Sequence, residues 1–336
     1  MTDQPRILLT HGTGGQASRD LIQQRLLPAY GNPRLNALTD GAVLPALQGL
    51  PVFTTDSYVV QPLFFPGGDI GELAVVGTCN DLAMMGAVPR WLSLGFILEE
   101  SLPLEVLDRV LLSIRRAADA AGVEIVTGDT KVVERGKADQ LFINTSGIGE
   151  LMQSAALQPG RIQPGDAIIV SNDIGRHGMA VMARREGIDL DIDIQSDVAL
   201  LSPLIQALLQ ADIDLHCARD LTRGGLGGAV LELAGQSGWG MLLDESRIPV
   251  SPPVAAACEL LGFDPLFIAN EGCCVLFLPQ QQVQSALDIL QAFGAGRWAS
   301  TIGRVTADDN RVRIKNRYGV ERPLSWHTVD QLPRIC

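Results

Sequence analysis

The stretch GELAVVGTCNDLAMMGAVP (71–89) contains the clearest fold signal in the chain. Apolar residues recur at helical spacing from Gly71 to Gly86, and Pro89 ends the pattern, which predicts one helix. Nearly every other residue in it is apolar or small, whereas Asp81 is an acid. A carboxylate in such a helix costs desolvation free energy unless it meets a partner. Asp81 is therefore the first candidate functional residue.

Strand-like and helix-like segments alternate around this helix. The segment PVFTTDSYVV (51–60) is rich in β-branched and aromatic residues and predicts a strand. Leu104–Ala121 has the pattern of an amphipathic helix, and 123–133 and 141–150 predict strands around turns. The first half of the chain is therefore predicted to be an α+β unit.

A break at ALQPGRIQPGD (156–166) divides the chain, because two Pro-Gly pairs occur there within ten residues. The second half then alternates in the same way. Its helices are predicted at 177–187, 198–212, 226–237, 253–262 and 281–293, and its strands at 166–171, 266–269, 273–278, 300–305 and 311–315. The predicted domains are 1–155 and 156–322, followed by a mobile tail, 323–336, that has two prolines and little periodicity.

Length and composition agree with two soluble domains. A chain of 336 residues exceeds one ordinary core, and 46% of its residues are hydrophobic. The net charge of −12 argues against a general nucleic-acid or anionic-membrane binder. The first ten residues lack a signal pattern, and no apolar run approaches the roughly 18–20 residues that span a bilayer. The sequence predicts a cytoplasmic protein.

Six cysteines are scattered along the chain without a CxxC motif or a Cys/His cluster. This pattern, with no signal peptide, favours reduced thiols and argues against structural zinc. The last cysteine, Cys336, ends the chain in PRIC (333–336). Composition alone makes Cys336 an exposed thiol at a frayed end.

A glycine loop lies near the start, in HGTGGQA (11–17). Gly12, Gly14 and Ala17, with Asp40 downstream, imitate a dinucleotide-binding fingerprint. The match is incomplete, because Asp40 lies in turn-like text rather than at the end of a parallel strand. Two alternatives remain: Gly12, Gly14 and Gly15 form a flexible loop over phosphates, or the loop is a plain turn before a helix.

Four aspartates lie where regular structure is predicted to break or end. They are Asp40 in TDGAVL, Asp56 in TTDSYVV, Asp81 in CNDLAMMGA and Asp129 in GDTKVV. Isolated acids of this kind are usually caps and turns. As a set without a Walker lysine, they suggest instead carboxylates that hold Mg²⁺ against a triphosphate. The absence of the P-loop and kinase motifs excludes those standard sites.

The second half contributes three further motifs. Arg223 and Gly224 precede a predicted helix, where a cation and backbone N–H groups would suit an anion. Glu271 lies in IANEGCCVLF (268–277), where it either faces a cleft or is a solvated turn acid. His177 in GRHGMA either caps the following helix or has a chemical role.

Taken in order, these motifs and the terminal PRIC resemble the HypE family of hydrogenase maturation proteins, within the PurM-like ATP-binding superfamily. That superfamily includes aminoimidazole ribonucleotide synthetase, selenophosphate synthetase and thiamine-monophosphate kinase. The resemblance covers essentially the whole chain, and PRIC distinguishes HypE from its relatives. It implies a PurM-like α+β subunit with an N-terminal ATP-binding domain and a C-terminal α/β domain.

The resemblance also implies an assembly and a site. Two subunits form a homodimer in which the N-terminal sheets pair into a barrel-like interface, with ATP bound nearby. By position in the motifs, Asp40, Asp56, Asp81 and Asp129 are the expected Mg²⁺–ATP residues, and the glycine loop closes over the nucleotide.

The implied reaction uses the chain's own terminal cysteine. The carbamoyltransferase HypF attaches a carbamoyl group to Cys336, ATP-dependent dehydration converts it to a thiocyanate, and the cyano group passes to iron on the HypC–HypD complex. Glu271 and Lys131 are the candidate bases, and Lys131 could instead bind the amide or phosphate as a cation. Two alternatives stay open: a PurM-type small-molecule kinase or synthetase, and a non-catalytic, nucleotide-sensing carrier.

Overall fold

The computed structural model describes residues 5–152, 157–186, 194–308, 310–326 and 335. Within these residues two main sheets form, one in each half of the chain, and helices cover them. This arrangement confirms the predicted α+β class. Among the residues that are described, no helix has the length and apolar character needed to cross a bilayer.

The first domain is built on a four-stranded sheet in the order β1-β6-β4-β5, in which only β4 and β5 run parallel. A two-stranded ribbon, β2 with β3, lies outside it. The strands are β1 (Pro51–Tyr58), β2 (Phe64–Phe65), β3 (Gly68–Asp69), β4 (Ala87–Glu99), β5 (Glu124–Val133) and β6 (Leu141–Leu151). β1 and β5 are therefore the edges of the main sheet.

Helices cover one face of this sheet. A broken helix forms near the start, with α1 (Gln16–Leu21) and α2 (Leu27–Tyr30) joined by a π-helical turn. The main helices are α3 (Ile70–Met84) and α4 (Leu104–Ala121). α4 is amphipathic and ends at Gly122, whose φ of 66° is favourable for glycine.

Helix α3 is buried on nearly all sides. Asp69 begins it by accepting the N–H groups of Gly71 and Glu72. Its first three turns belong to the core of the first domain, whereas Ala83 and Met84 pack in a core cluster of the second. Contact with both domains explains why the helix is apolar all round.

The second domain has a seven-stranded mixed sheet in the order β13-β12-β9-β11-β7-β10-β8. Its strands are β7 (Asp166–Val170), β8 (Cys217–Asp220), β9 (Gly240–Asp244), β10 (Cys274–Pro279), β11 (Ser300–Thr306), β12 (Val312–Lys315) and β13 (Glu321–Pro323). Its helices are α5 (Arg176–Glu186), α6 (Ser202–Gln210), α7 (Gly225–Ser237), α8 (Pro252–Leu261) and α9 (Val283–Gln291). α7 covers one face, and α6 and α9 cover the other.

The structure corrects two local predictions. Residues 266–269 do not form a strand: Pro265–Phe267 is a short 3-10 turn, held by Asp264, which accepts the Leu266 N–H. Asp56 and Asp129 do not end regular structure, because each lies inside a continuous strand. The domain boundary at 155/156 and the tail's mobility stay predictions, since 153–156, 327–334 and 336 lie outside the described residues.

Candidate active site

A cleft of about 660 Å³ lies between the two domains and brings several predicted site residues together. The first domain contributes Asp56 from β1 and Asp81 from α3, and the second contributes Glu271. Arg223, which precedes α7 in the second domain, lines the same cleft. Acids and a cation from both domains thus face one space.

Asp81 has the partner that its apolar helix requires. The Thr54 hydroxyl donates to its carboxylate at 2.9 Å, from the neighbouring strand β1. Partial burial raises the pKa of Asp81, and the charge of Asp56 raises it further, while the Thr54 hydrogen bond opposes both. Asp81 is held at the cleft rather than serving as a helix cap.

Glu271 is the most deeply buried acid of the cleft. Its side chain is 3% exposed, and Oε1 has no hydrogen-bond partner among the described residues. Burial raises the pKa of Glu271 well above its ordinary value, and Asp220 and Asp197 add to the effect. The structure therefore rejects the alternative of a solvated turn acid.

The backbone around Glu271 is fixed by the buried Asp197. Its two carboxylate oxygens accept the N–H groups of Glu271 and Gly272, each at 3.1 Å. A side chain at position 272 would lie 1.8 Å from the Asp197 carbonyl oxygen, so only glycine fits there. This close approach explains the glycine of the NEG motif.

The sequence patterns did not indicate Asn80, although it adjoins Asp81. Its amide donates to the carbonyls of Ala199 at 3.0 Å and Glu271 at 3.3 Å, and its oxygen accepts the Leu201 N–H at 2.8 Å. One buried side chain on α3 thus ties the first domain to the loop that contains Glu271. The sequence signal that could have identified Asn80 is its polar side chain within a largely apolar helix.

The patterns also did not indicate Asp220, at the end of β8. Burial, chiefly, and the nearby Asp81 raise the pKa of Asp220 to about 7. Its neighbour Arg219 pairs with Glu232 at 2.6 Å and lines the same cleft. Both residues lie in the RDLTRGGL segment (219–226), whose motif pointed to Arg223 and Gly224 instead. Gly224 itself begins α7 in a left-handed conformation and is not among the residues lining the cleft.

A second cleft, of about 240 Å³, holds a different group of predicted residues. Gly12 and Gly14 line it together with Asp129 and Lys131 of β5. A Cβ at Gly12 would lie 2.7 Å from the Val132 backbone nitrogen, so the glycine loop packs directly on β5. Gly15 is the residue that begins α1.

The acid of this second cleft has an environment opposite to that of Glu271. Asp129 is exposed and pairs with Lys131 at 2.7 Å. The Lys131 hydrogen bond lowers the pKa of Asp129. Within one chain, Lys131 and Glu271 therefore line separate clefts.

The remaining predicted residues are not brought to either cleft. Asp40 lies on an exposed bend and is absent from both linings. Cys336 lies outside the described residues, although its neighbour Ile335 is described. Among described residues, no three His, Cys, Asp or Glu side chains converge closely enough to hold a metal ion by themselves.

Comparison with known proteins agrees with this architecture. Residues 39–151 match the AIR synthase related protein, N-terminal domain, and residues 163–315 match the corresponding C-terminal domain. The carbamoyl dehydratase HypE of Azotobacter vinelandii is 47% identical over 98% of this chain and 96% of its own length. The chain belongs to the HypE family.

Solved structures of HypE proteins extend the similarity to the fold. A crystal structure of the hydrogenase maturation protein HypE in complex with ATP has a TM-score of 0.94 and 45% identity, covering 98% of this chain and 99% of that one. A HypE chain from a HypE–HypF complex has a TM-score of 0.81 and 43% identity, covering 91% of this chain and 99% of that one.

Proposed function

We propose that this HypE-family chain is an ATP-dependent carbamoyl dehydratase whose substrate is the S-carbamoyl group on its own Cys336, destined to become a cyanide ligand in NiFe-hydrogenase assembly. The observation that supports the proposal best is Glu271: a buried carboxyl with one oxygen free of hydrogen bonds, facing a cleft between domains. The names of the HypE relatives and the ATP-bound HypE structure support the same reaction and nucleotide.

The reaction balances with ATP as the acceptor of oxygen. The amide oxygen of the thiocarboxamide attacks the γ-phosphate, ADP leaves, and the C–O bond then breaks to release phosphate. The nitrogen loses two protons as the C≡N bond forms, so a base must lie near it. We assign the first proton to Glu271, whose raised pKa makes it a stronger base once it is ionised. The second proton leaves with the departing phosphate.

The other residues of the interdomain cleft are suited to binding triphosphate. Mg²⁺ takes one or two carboxylates together with phosphate oxygens, which fits Asp56 and Asp81 on adjacent elements. Bound there, the ion would neutralise charge on the transferred phosphoryl group. Arg219 and Arg223 supply cations on the other side of the cleft.

A homodimer would join the two clefts. β1 and β5 are the two edges of the first sheet, and one face of that sheet exposes apolar side chains, including Phe53 at 67% and Ile97 at 43%. Two such sheets can close a barrel if each β1 lies beside the β5 of the other subunit. Asp56 would then lie near Asp129 and Lys131 of the partner subunit, which we propose complete the ATP site with the glycine loop and Asp40.

Two further partners follow from the reaction. HypF would supply the carbamoyl group, which the HypE–HypF structure supports for a relative. A HypC–HypD complex would receive the cyano group at iron. We expect these exchanges in the cytoplasm, where thiols such as Cys336 stay reduced.

Intact-protein mass spectrometry tests the proposal. Protein carbamoylated with HypF, carbamoyl phosphate and ATP should lose the mass of one water when Mg-ATP is present, and Cys336→Ser should gain no carbamoyl group. Carbamoylation without loss of water would support a carrier instead. ATP turnover on a soluble small molecule by Cys336→Ser protein would support a kinase or synthetase.

A further inference from the structure

His177 is buried at the junction of the two domains, with both ring nitrogens engaged. It lies in the first turn of α5 and is 0% exposed. Nε2 lies 3.1 Å from the carbonyl oxygen of Ile335, and Nδ1 lies 2.8 Å from the Ser196 hydroxyl oxygen. The contact to Ile335 joins residues 158 positions apart in sequence. Neither contact is a helix cap, which excludes that alternative.

The hydrogen-bond partners determine the tautomer of His177. A peptide carbonyl only accepts, so Nε2 must be protonated to bond to Ile335. Nδ1 of a neutral ring is then an acceptor, and the Ser196 hydroxyl donates to it. The same hydroxyl oxygen accepts the Val198 N–H at 3.2 Å, which orients it. Burial lowers the pKa of His177 to about 4, so the neutral ring persists at physiological pH.

Ile335 is held by packing as well as by its carbonyl. Its side chain is 3% exposed and belongs to the large apolar cluster of the first domain. Val181 and Ala269 of the second domain belong to the same cluster. The penultimate residue of the chain is therefore buried where the domains meet, one peptide bond before Cys336.

The groups that hold Ile335 share a scaffold with Glu271. Ser196 orients His177, and the next residue, Asp197, accepts the Glu271 N–H. The N–H of Gly178, next to His177, donates to the carbonyl of Ala269 at 3.0 Å, two residues before Glu271. The position of Ile335 and that of the proposed base are thus set by the same short segments.

We propose that His177 is a positioning residue that holds the chain's C-terminal tail by the peptide carbonyl of Ile335, so that Cys336 is presented to the dehydration site. The inference rests on the proposed function, because it deepens the role of that site. Anchoring the adjacent peptide raises the effective concentration of the modified cysteine at the site. Breaking the same hydrogen bond releases the tail to a partner. One contact therefore controls whether Cys336 is held at the dehydration site or is available to a partner protein.

Two opposite readouts test the anchor. His177→Leu removes the donor, so single-turnover water loss from carbamoylated protein should slow about tenfold while alkylation of unmodified Cys336 by iodoacetamide speeds up by a similar factor. The other five cysteines are buried, so intact mass reports Cys336, with Cys336→Ser as the blank. His177→Gln retains an N–H donor and should recover part of both effects.

A variant in the tail itself separates anchoring from misfolding. Ile335→Ala changes only the penultimate side chain and should shift both readouts in the same directions, by about threefold to tenfold, with ATP affinity unchanged. In the double variant with His177→Leu, the two effects should be less than additive, because both act on one docked state.

The outcomes also separate this inference from the proposed function. If His177→Leu is folded and both rates match the wild type, the anchor role is wrong. If both rates fall together, His177 serves the fold rather than the tail, which also contradicts the inference. If the wild type loses no water with Mg-ATP, the dehydratase proposal fails, and the alkylation rates still report on the anchor.

Discussion

The interdomain cleft and the cleft on β5 both contain acids that short sequence motifs predicted, yet the two environments have opposite effects on the pKa values of those acids. Glu271 and Asp81 are desolvated among other carboxylates, and their pKa values are raised. Asp129 is exposed beside Lys131, and its pKa is lowered. The motif supplies the residue type, whereas burial and neighbouring charge determine its chemistry.

The largest effect should come from the most buried acid. Glu271→Gln keeps the shape of the side chain but removes the proposed base, so we expect dehydration to slow at least about a hundredfold with little change in ATP affinity. Single-turnover mass spectrometry and calorimetric titration of Mg-ATP measure the two quantities. Asp129→Asn is the matched change in the other cleft, and it should weaken Mg-ATP binding instead. Normal dehydration by the Glu271 variant would remove this residue from the base role.

Mixed dimers test whether the two clefts act together. Glu271→Gln and Lys131→Ala proteins should each be impaired as homodimers. Random subunit exchange makes half of the dimers mixed. If Lys131 serves the partner's cleft, each mixed dimer has one intact site of its two, so the mixture should have about a quarter of wild-type activity. Exchange with a protein carrying both changes should restore none and is the control. No recovery in the first mixture would mean that the clefts work separately or that the dimer differs from the one proposed.

The smallest effects concern the free energy of unfolding. Removing the charge of Glu271 and removing that of Asp129 should change this free energy in opposite directions. A raised pKa means that folded Glu271 binds a proton that the unfolded chain releases, so stability falls as pH rises above the unfolded value. Glu271→Gln should therefore stabilise nucleotide-free protein at pH 8, by on the order of 1 kcal/mol, and less at pH 5.

Asp129→Asn should have the reverse, weaker effect. The lowered pKa of Asp129 contributes stability above its unfolded value that is lost as pH falls through the folded one. Because the pair with Lys131 is exposed, the expected loss is only about 0–0.5 kcal/mol. Urea denaturation at pH 5 and pH 8 measures both variants, and the loss for Asp129→Asn should be the same at both, because both pH values lie above the ordinary pKa of an aspartate. Equal shifts of one sign would contradict the contrast between the clefts.

The elements of the fold were largely predictable, because periodicity reports local burial. The spacing in 71–89 and 104–121 identified α3 and α4, and turn residues separated most strands. The wrong predictions fall where contacts with other parts of the chain, rather than local spacing, determine the backbone conformation. Residues 266–269 look like a strand but are held in a turn by Asp264, and Asp129 looks like a turn acid but lies in β5.

The sequence predicted which residues belong to the candidate site better than it predicted which of them share a cleft. Asp56, Asp81 and Glu271 were selected from their motifs and do share a cleft. Nothing in the sequence indicates that Asp129 lies elsewhere in the subunit, since that depends on strand order. Asn80 and Asp220 were missed because their importance comes from contacts about 50 to 200 positions away or from neighbours in space. The role of His177 could not be predicted for the same reason, because its hydrogen-bond partner Ile335 lies near the end of the chain.

The attachment of Asn80 to the Glu271 loop bears on how the molecule can move. A hinge between the domains would have to pass through α3, which belongs to both cores and holds the Ala199, Leu201 and Glu271 backbones. Opening there would strip three hydrogen bonds from one buried amide. We therefore expect the gap between Asp81 and Glu271 to keep its width through the catalytic cycle. A reactant should therefore enter and leave this site without a closing movement of the two domains.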